Sequence, residues 1–251
     1  TGTVVTLGGV SSHVNSDAQL FGGNSFQLLN LAGYTQVEQP VGDRLNLSAG
    51  VRYEYNQIRS PDSVQISDTD RIPRVDQSEG KPVFRVGANY QAAEGTFLRA
   101  SWGQGYRFPT LAEKFIRTNS GGIFVQPNPE LQSETGWSAE LGVKQGLEVG
   151  SWAGYVDFSV FQSEYQDMIE FNVGVNLGGT VPFFFQALNV GNTRIRGLEF
   201  TLAGQSSLGA DTEISVLGGY TLLDPEFKEW NNDLEGVNLT NYDEFPIATQ
   251  N

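Results

Sequence analysis

Between Arg44 and Asn56 the chain alternates apolar and polar residues without a break. Leu45, Leu47, Ala49, Val51, Tyr53 and Tyr55 fall on one side; Arg44, Asn46, Ser48, Gly50, Arg52, Glu54 and Asn56 fall on the other. A two-residue period belongs to a β-strand with two unlike faces. In a soluble sheet the apolar face meets a core. In a membrane barrel it meets lipid, and the polar face lines a lumen.

The same period recurs along the chain. Phe84, Val86, Ala88 and Tyr90 stand against Arg85, Gly87 and Asn89; Leu98, Ala100 and Trp102 stand against Arg99, Ser101 and Gly103. Trp137, Ala139, Leu141 and Val143 oppose Ser138, Glu140, Gly142 and Lys144. Further segments set Val156, Phe158 and Val160, then Leu198, Phe200 and Leu202, then Ile214, Val216, Gly218 and Tyr220 against polar neighbours. With one more strand expected over 26–39, this gives about eight strands. Residues 1–25, rich in Gly, Ser and Asn, read as loop.

The connections sort by length. Residues 40–43, 92–95, 145–151 and 204–210 read as tight turns, whereas 58–81, 107–133 and 167–186 read as long loops. From 224 to 251 the chain is polar and turn-rich. Turn and long loop alternate, so every long loop lies at one end of the sheet. Short turns at one rim and long loops at the other mark an outer-membrane barrel, and strands of about 10–14 residues suit a tilted crossing of an apolar band of about 25 Å. A soluble β-sandwich also alternates in and out, but its strands average nearer five or six residues.

Composition narrows the choice. The 251 residues are 39% hydrophobic, 12% aromatic, and include 30 glycines. No run of about 18 apolar residues offers a membrane helix. A net charge of −14 argues against nucleic acid, whose binding needs a basic stripe. With no cysteine and His13 as the only histidine, thiol chemistry, a histidine-based triad and a multi-histidine metal site are set aside. No cofactor and no catalytic residue is expected. The chain opens at Thr1 without a secretory leader and reads as a mature or excised piece.

The block from Ser101 to Gly142 is more specific. Ser101-Trp-Gly-Gln-Gly-Tyr-Arg-Phe-Pro-Thr-Leu-Ala-Glu-Lys-Phe115 is followed by Gln126-Pro-Asn-Pro-Glu-Leu-Gln-Ser-Glu134, then by Trp137-Ser-Ala-Glu-Leu-Gly142. Ala49-Gly-Val-Arg-Tyr53 and Asn189-Val-Gly-Asn-Thr-Arg-Ile-Arg-Gly-Leu-Glu199 accompany it. Together these resemble the barrel of TonB-dependent outer-membrane receptors over about residues 30–225. The resemblance implies an all-β, antiparallel up-and-down transmembrane β-barrel of about 22 strands, of which about eight are present here. It also implies a bacterial outer-membrane location. The function implied is active import of a scarce ligand (an iron-siderophore, cobalamin or an oligosaccharide) with energy relayed through TonB to a plug domain of the same parent chain. Residues 1–251 then correspond to part of the barrel, without plug or closing strand.

Within that block, Thr110 is expected to cap one or two helical turns with Glu113 three residues on. Pro109 stops a strand, Asn128 and Pro129 fix a turn, and Arg107, Glu113 and Glu134 are placed to pair inside a lumen. Phe115 and Leu131 complete the motif. All eight read first as scaffold and second as ligand contacts.

Ligand contacts are sought among aromatics on polar loops: Phe124, Phe183, Phe184, Phe185, Trp230 and Tyr242. Such rings stack on flat or sugar-like ligands, such as a siderophore or glycan, or else form the girdle at the membrane rim. Asp62, Asp68, Asp70 and Asp76 read as a solvated acidic loop and not as a calcium site. The rival reading is a soluble carbohydrate-binding or adhesive β-sandwich, with Leu45, Leu47, Val51, Leu141, Val143, Val156 and Phe158 buried between layers. A β-rich hydrolase ranks below both, since no carboxylate pair is marked out.

Overall fold

The computed structural model describes residues 2–68, 70–120, 123–175, 183–207, 209, 212–230, 233–234 and 237–238. In chain order the elements are β1 (Val4–Ser16), β2 (Phe26–Val41), β3 (Leu45–Gln65), β4 (Arg71–Ala93), β5 (Thr96–Arg107), α1 (Leu111–Phe115), β6 (Thr118–Ser120) and β7 (Ile123–Gln126). They continue with β8 (Glu134–Val149), β9 (Trp152–Gln166), β10 (Ile169–Val175), β11 (Phe183–Asn189), β12 (Gly191–Ser207) and β13 (Glu213–Trp230). Nine of them form one antiparallel meander ordered β1-β2-β3-β4-β5-β8-β9-β12-β13.

The register explains the alternation. Leu47 lies opposite Ala88, Ala88 opposite Ala100, Ala100 opposite Leu141, Leu141 opposite Val160, Val160 opposite Leu198 and Leu198 opposite Leu222. Paired residues share a face, so one apolar row crosses seven strands. One residue away on the other face the row reads Asn46, Asn89, Arg99, Gly142, Ser159, Glu199 and Thr221. There Arg99 reaches Glu140 at 2.8 Å and Asp157 at 2.7 Å, so this cation is paired across strands.

No second layer covers the apolar face among the described residues. Val86, Leu141, Phe158, Val160 and Leu222 all stand exposed, Leu141 at 62%. The sandwich reading fails here, because none of the residues it needs in a core is buried. The two hydrophobic cores lie instead beyond the band, among the long connections. One joins Phe21, Phe26, Ile58, Val64, Val75, Leu111 and Phe115; the other joins Leu131, Ile169 and Ala187.

The two rims differ as the loop lengths require. At one, the turns are short, and Gly42, Gly95 and Gly150 take positive φ of 63°, 70° and 63° that residues with a Cβ rarely adopt. At the other rim the chain does not simply loop. Residues 58–65 and 71–81 form the tops of β3 and β4 rather than a polar loop. The connection 108–133 holds α1, β6 and β7, and the connection 167–190 holds β10 and β11. Residues 4–16 are a strand and not a loop. Tyr34 lies over Gly8, where a Cβ would meet its ring at 2.3 Å, so a glycine that suggested a loop makes room for a cross-strand aromatic.

Candidate functional site

The upper rim is built from the bottom up by side chains that tie the long connections together. β5 ends at Arg107, opposite Glu134 at the start of β8. The Arg107 guanidinium donates to Glu113 at 2.6 Å and to Glu134 at 3.0 Å. Glu134 also accepts from the backbone N–H of Ile169 at 3.1 Å, so one carboxylate joins β5, β8 and β10. Phe108 and the fully buried Pro109 lead into α1.

Helix α1 begins with a capping box. The Thr110 hydroxyl accepts from the Glu113 N–H, and the Glu113 carboxylate accepts from the Thr110 N–H at 2.7 Å. Burial pushes the Glu113 carboxyl up, but the Thr110 N–H and the Arg107 guanidinium outweigh it and hold the pKa below the usual glutamate range. Phe115 is buried and stacks on Phe26 with ring centroids 4.4 Å apart. Lys114 is also buried, and its ammonium donates to the Leu131 carbonyl at 2.6 Å. Desolvation lowers its pKa.

Asn128 and Pro129 form the return. The Asn128 N–H donates to the Lys114 carbonyl at 2.8 Å and its side chain donates to the Ala187 carbonyl at 2.9 Å. Pro129 offers its carbonyl to Gln77 at 3.3 Å. Leu131 is buried against Ile169 and Ala187. A cavity of about 300 Å³ lies between this return and β4, lined in part by Gln77, Glu79, Lys114, Leu131 and Ser133.

The aromatic candidates do not form one cluster. Phe184 pairs with Phe124 across the parallel β11–β7 contact, so those two rings share a face. Phe185 is one residue on and points the other way, beside Val173, with Phe171 further along β10. Three consecutive phenylalanines in a strand cannot present one surface. Phe183 and Trp230 have backbone in β11 and β13 but side chains outside the described set, and Tyr242 lies outside it. The aspartates scatter: Asp68 bonds Arg117, Asp70 bonds Ser67 at 2.9 Å, and Asp76 bonds Arg59 at 3.1 Å. Among the described residues no group of three metal-ligating side chains is found.

Sequence reading gave no individual role to Lys114, Asn189 or Asn24. The Asn24 side chain bonds both the N–H and the carbonyl of Gln65, and so imitates a neighbouring strand. Asn189 does the same for Gln132. Asn189 was visible as the first residue of a family-like segment, whereas Lys114 and Asn24 were polar residues with no motif role of their own.

Residues 6–246 match the family described as TonB dependent receptor-like, beta-barrel. The chain belongs to that family. The TonB-dependent receptor barrel is a bacterial outer-membrane structure of receptors and not of enzymes. One relative is the hemoglobin and hemoglobin-haptoglobin-binding protein A of Haemophilus influenzae, 32% identical over 131 residues, covering 50% of this chain and 11% of that protein. The hemophore receptor HasR of Serratia marcescens, solved with its hemophore HasA and heme, superposes with a TM-score of 0.64 at 16% identity, covering 88% of this chain and 42% of HasR. The FrpB iron transporter of Neisseria meningitidis gives a TM-score of 0.58 at 16% identity, covering 93% and 34%. At these identities the two structures establish the fold. The matched part of the chain spans about a ninth of the length of its Haemophilus relative.

Proposed function

We infer that this chain is part of the wall of an outer-membrane import receptor. The receptor captures an iron-bearing ligand outside the cell and admits it past a plug domain moved by TonB-relayed energy. The observation that carries this reading is the register. It sets one apolar row across seven strands on the outer face, polar rows on the inner face, and all long connections at one rim. Lipid covers the first, water and the plug meet the second, and the third faces the medium.

Iron links the three proteins compared above: one is a hemoglobin-binding protein, one was solved with heme, and one is an iron transporter. Heme iron is therefore the first ligand class, ahead of the siderophore, cobalamin and glycan classes. The face carrying Phe124 and Phe184 supplies flat apolar surface for such a ligand, and the wall itself performs no covalent chemistry. The test is growth of a strain lacking its other iron receptors, with hemin or hemoglobin as the sole iron source. Growth should need the intact receptor and should fall at least tenfold for Phe124→Ser combined with Phe184→Ser. Growth that does not depend on the receptor would end the heme reading.

A further inference from the structure

The outer face changes character just above Tyr55. On β3 that face runs Leu45, Leu47, Ala49, Val51, Tyr53 and Tyr55, and then turns polar at Gln57 and Arg59. The register carries the change sideways. Tyr55 lies opposite Leu31 on β2 and Gly80 on β4. One step up, Gln57 lies opposite Leu29 and Ser78, and the next step sets Arg59 between Gln27 and Asp76. On β1 the same steps read Ser11, His13 and Asn15. From Leu45 to Tyr55 is about 34 Å of strand, or about 26 Å of height at a tilt near 40°, which matches the apolar band of an outer membrane. Residues above Tyr55 on this face therefore sit at the level of the lipid headgroups.

Three arginines gather there. Past Arg59 the register shifts: residues 60–62 of β3 oppose Val75 alone, and Ser63 then lies opposite Arg74. The insertion turns Val64 and Val75 into the rim core and leaves Ser63 and Arg74 outside. Arg71, exposed like Arg59 and Arg74, donates to the Ser63 hydroxyl at 2.8 Å. Arg59 reaches Asp76 at 3.1 Å, and Gln57 donates to the same carboxylate at 2.9 Å. The Arg59 hydrogen bond, helped by Gln57 and by the charge of Arg74, holds the Asp76 carboxyl below the usual aspartate range. With Asp62 exposed on the bulge, three guanidiniums face two carboxylates, in a chain whose net charge is −14.

A second outward group shows a network closed on itself. On β9, β12 and β13, Arg194 and Lys228 both meet Glu164, at 2.9 and 3.0 Å, and Arg194 also meets Glu226 at 3.3 Å. Arg196 lies opposite Asp224. Three cations there have three carboxylates. On β3 and β4 only Arg59 forms an ion pair among the described residues, so Arg71 and Arg74 keep their charge for a partner from outside.

We propose that the Arg59, Arg71 and Arg74 patch binds the phosphorylated sugar headgroup of an outer-leaflet glycolipid, whose acyl chains lie along the apolar rows below it. A guanidinium offers a planar fork that fits phosphate oxygens, and basic clusters at a membrane surface recognise anionic headgroups. The charge selects phosphate. The continuous apolar face beneath, through Tyr53, Val51 and Phe84, selects a lipid over free phosphate. Tyr53 is 52% exposed at the boundary, where an aromatic ring with a polar tip is suited to both neighbours. A lipid held there fixes the height of β3 and β4, whose tops carry the core around Phe26 and Phe115.

The proposal rests on the receptor reading for its membrane setting only. The intact receptor is purified in detergent, stripped of lipid and titrated with lipid A carrying its phosphates, with the same lipid after phosphatase treatment, and with inorganic phosphate. Bound lipid is measured by native mass spectrometry. The phosphorylated lipid should bind about tenfold more tightly than the dephosphorylated one, and Arg59→Gln with Arg74→Gln should remove that preference. Arg59→Lys with Arg74→Lys keeps the charge and should keep most of the preference, which separates lost charge from lost folding. Arg196→Gln, exposed on the same outer side, should leave it unchanged. Equal binding of the two lipids overturns the proposal, as does a glutamine variant that keeps the preference. Displacement of the lipid by inorganic phosphate also overturns it, by marking an anion site. None of these results alters growth on hemin, whereas a receptor missing from the outer-membrane fraction would overturn this proposal and the receptor reading together.

Discussion

Arg107 shows how much one side chain can hold at the rim. It bonds two carboxylates, both mostly buried, that belong to α1 and β8, and one of them also receives the N–H of Ile169. Its own side chain is 41% exposed, which screens the pairing. Arg107→Ala should therefore weaken the local structure by about 1–2 kcal/mol and raise hydrogen exchange of α1 amides roughly tenfold. Unchanged exchange would show that the pairs contribute nothing. The same site gives a pH dependence with a definite sign. The folded pKa of Glu113 is depressed, so its contribution is complete above the ordinary glutamate value of about 4.3 and is lost as pH falls through the lower folded value. Protection of α1 amides, taken relative to their intrinsic exchange rate at each pH, should fall in acid below that value and stay flat above it. The Glu113→Gln receptor should lose that fall.

At the scale of elements, the membrane strands from β2 onward were legible, whereas β1, masked by its glycines and serines, and the rim were not. Lipid and lumen impose a strict two-residue alternation, and the faces read from Leu45, Val86, Leu98, Leu141 and Phe158 are those of the folded sheet. Above the bilayer neither constraint acts. The tops of β3 and β4 carry Pro61 and Pro73 among aspartates, which reads as loop. In the structure Pro61 and Pro73 fall where the register shifts near Ser63, at positions that need no ladder hydrogen bond. Ile58, Val64 and Val75 then pack on Phe26 and Phe115, contacts between distant segments that no local pattern reveals. Helix α1 is the exception, because its capping box is a local signal. Thr110→Ala should cost about 1 kcal/mol. It should also release Phe115 from Phe26, seen as faster exchange at both residues; a change confined to α1 would separate the cap from the packing.

For the whole molecule the decisive property is which face meets lipid, and the apolar row shows the tilt as well. The row from Leu47 to Leu222 runs perpendicular to the strands. On β3 the apolar residues continue from Leu47 toward the long-loop rim, through Ala49, Val51, Tyr53 and Tyr55. On β13 they continue the opposite way, from Leu222 through Tyr220, Val216 and Ile214, and toward the rim come Asp224 and Glu226. One row therefore enters low in the band at β3 and leaves high at β13, as strands tilted in a barrel require. The stretch from Ile214 to Leu222 is about 27 Å of strand, or about 20 Å of height at a tilt near 40°, close to the apolar band of an outer membrane. Leu141, on β8 midway along the row, then lies near the bilayer midplane. Leu141→Arg should cost about 2–4 kcal/mol in urea-dependent folding of the intact receptor into bilayers. Ser101→Arg, on the inner face opposite Glu140, gains a carboxylate neighbour and should cost far less. Equal costs at the two positions would mean that the exposed row does not face hydrocarbon, and the membrane reading of the sheet would fall with it.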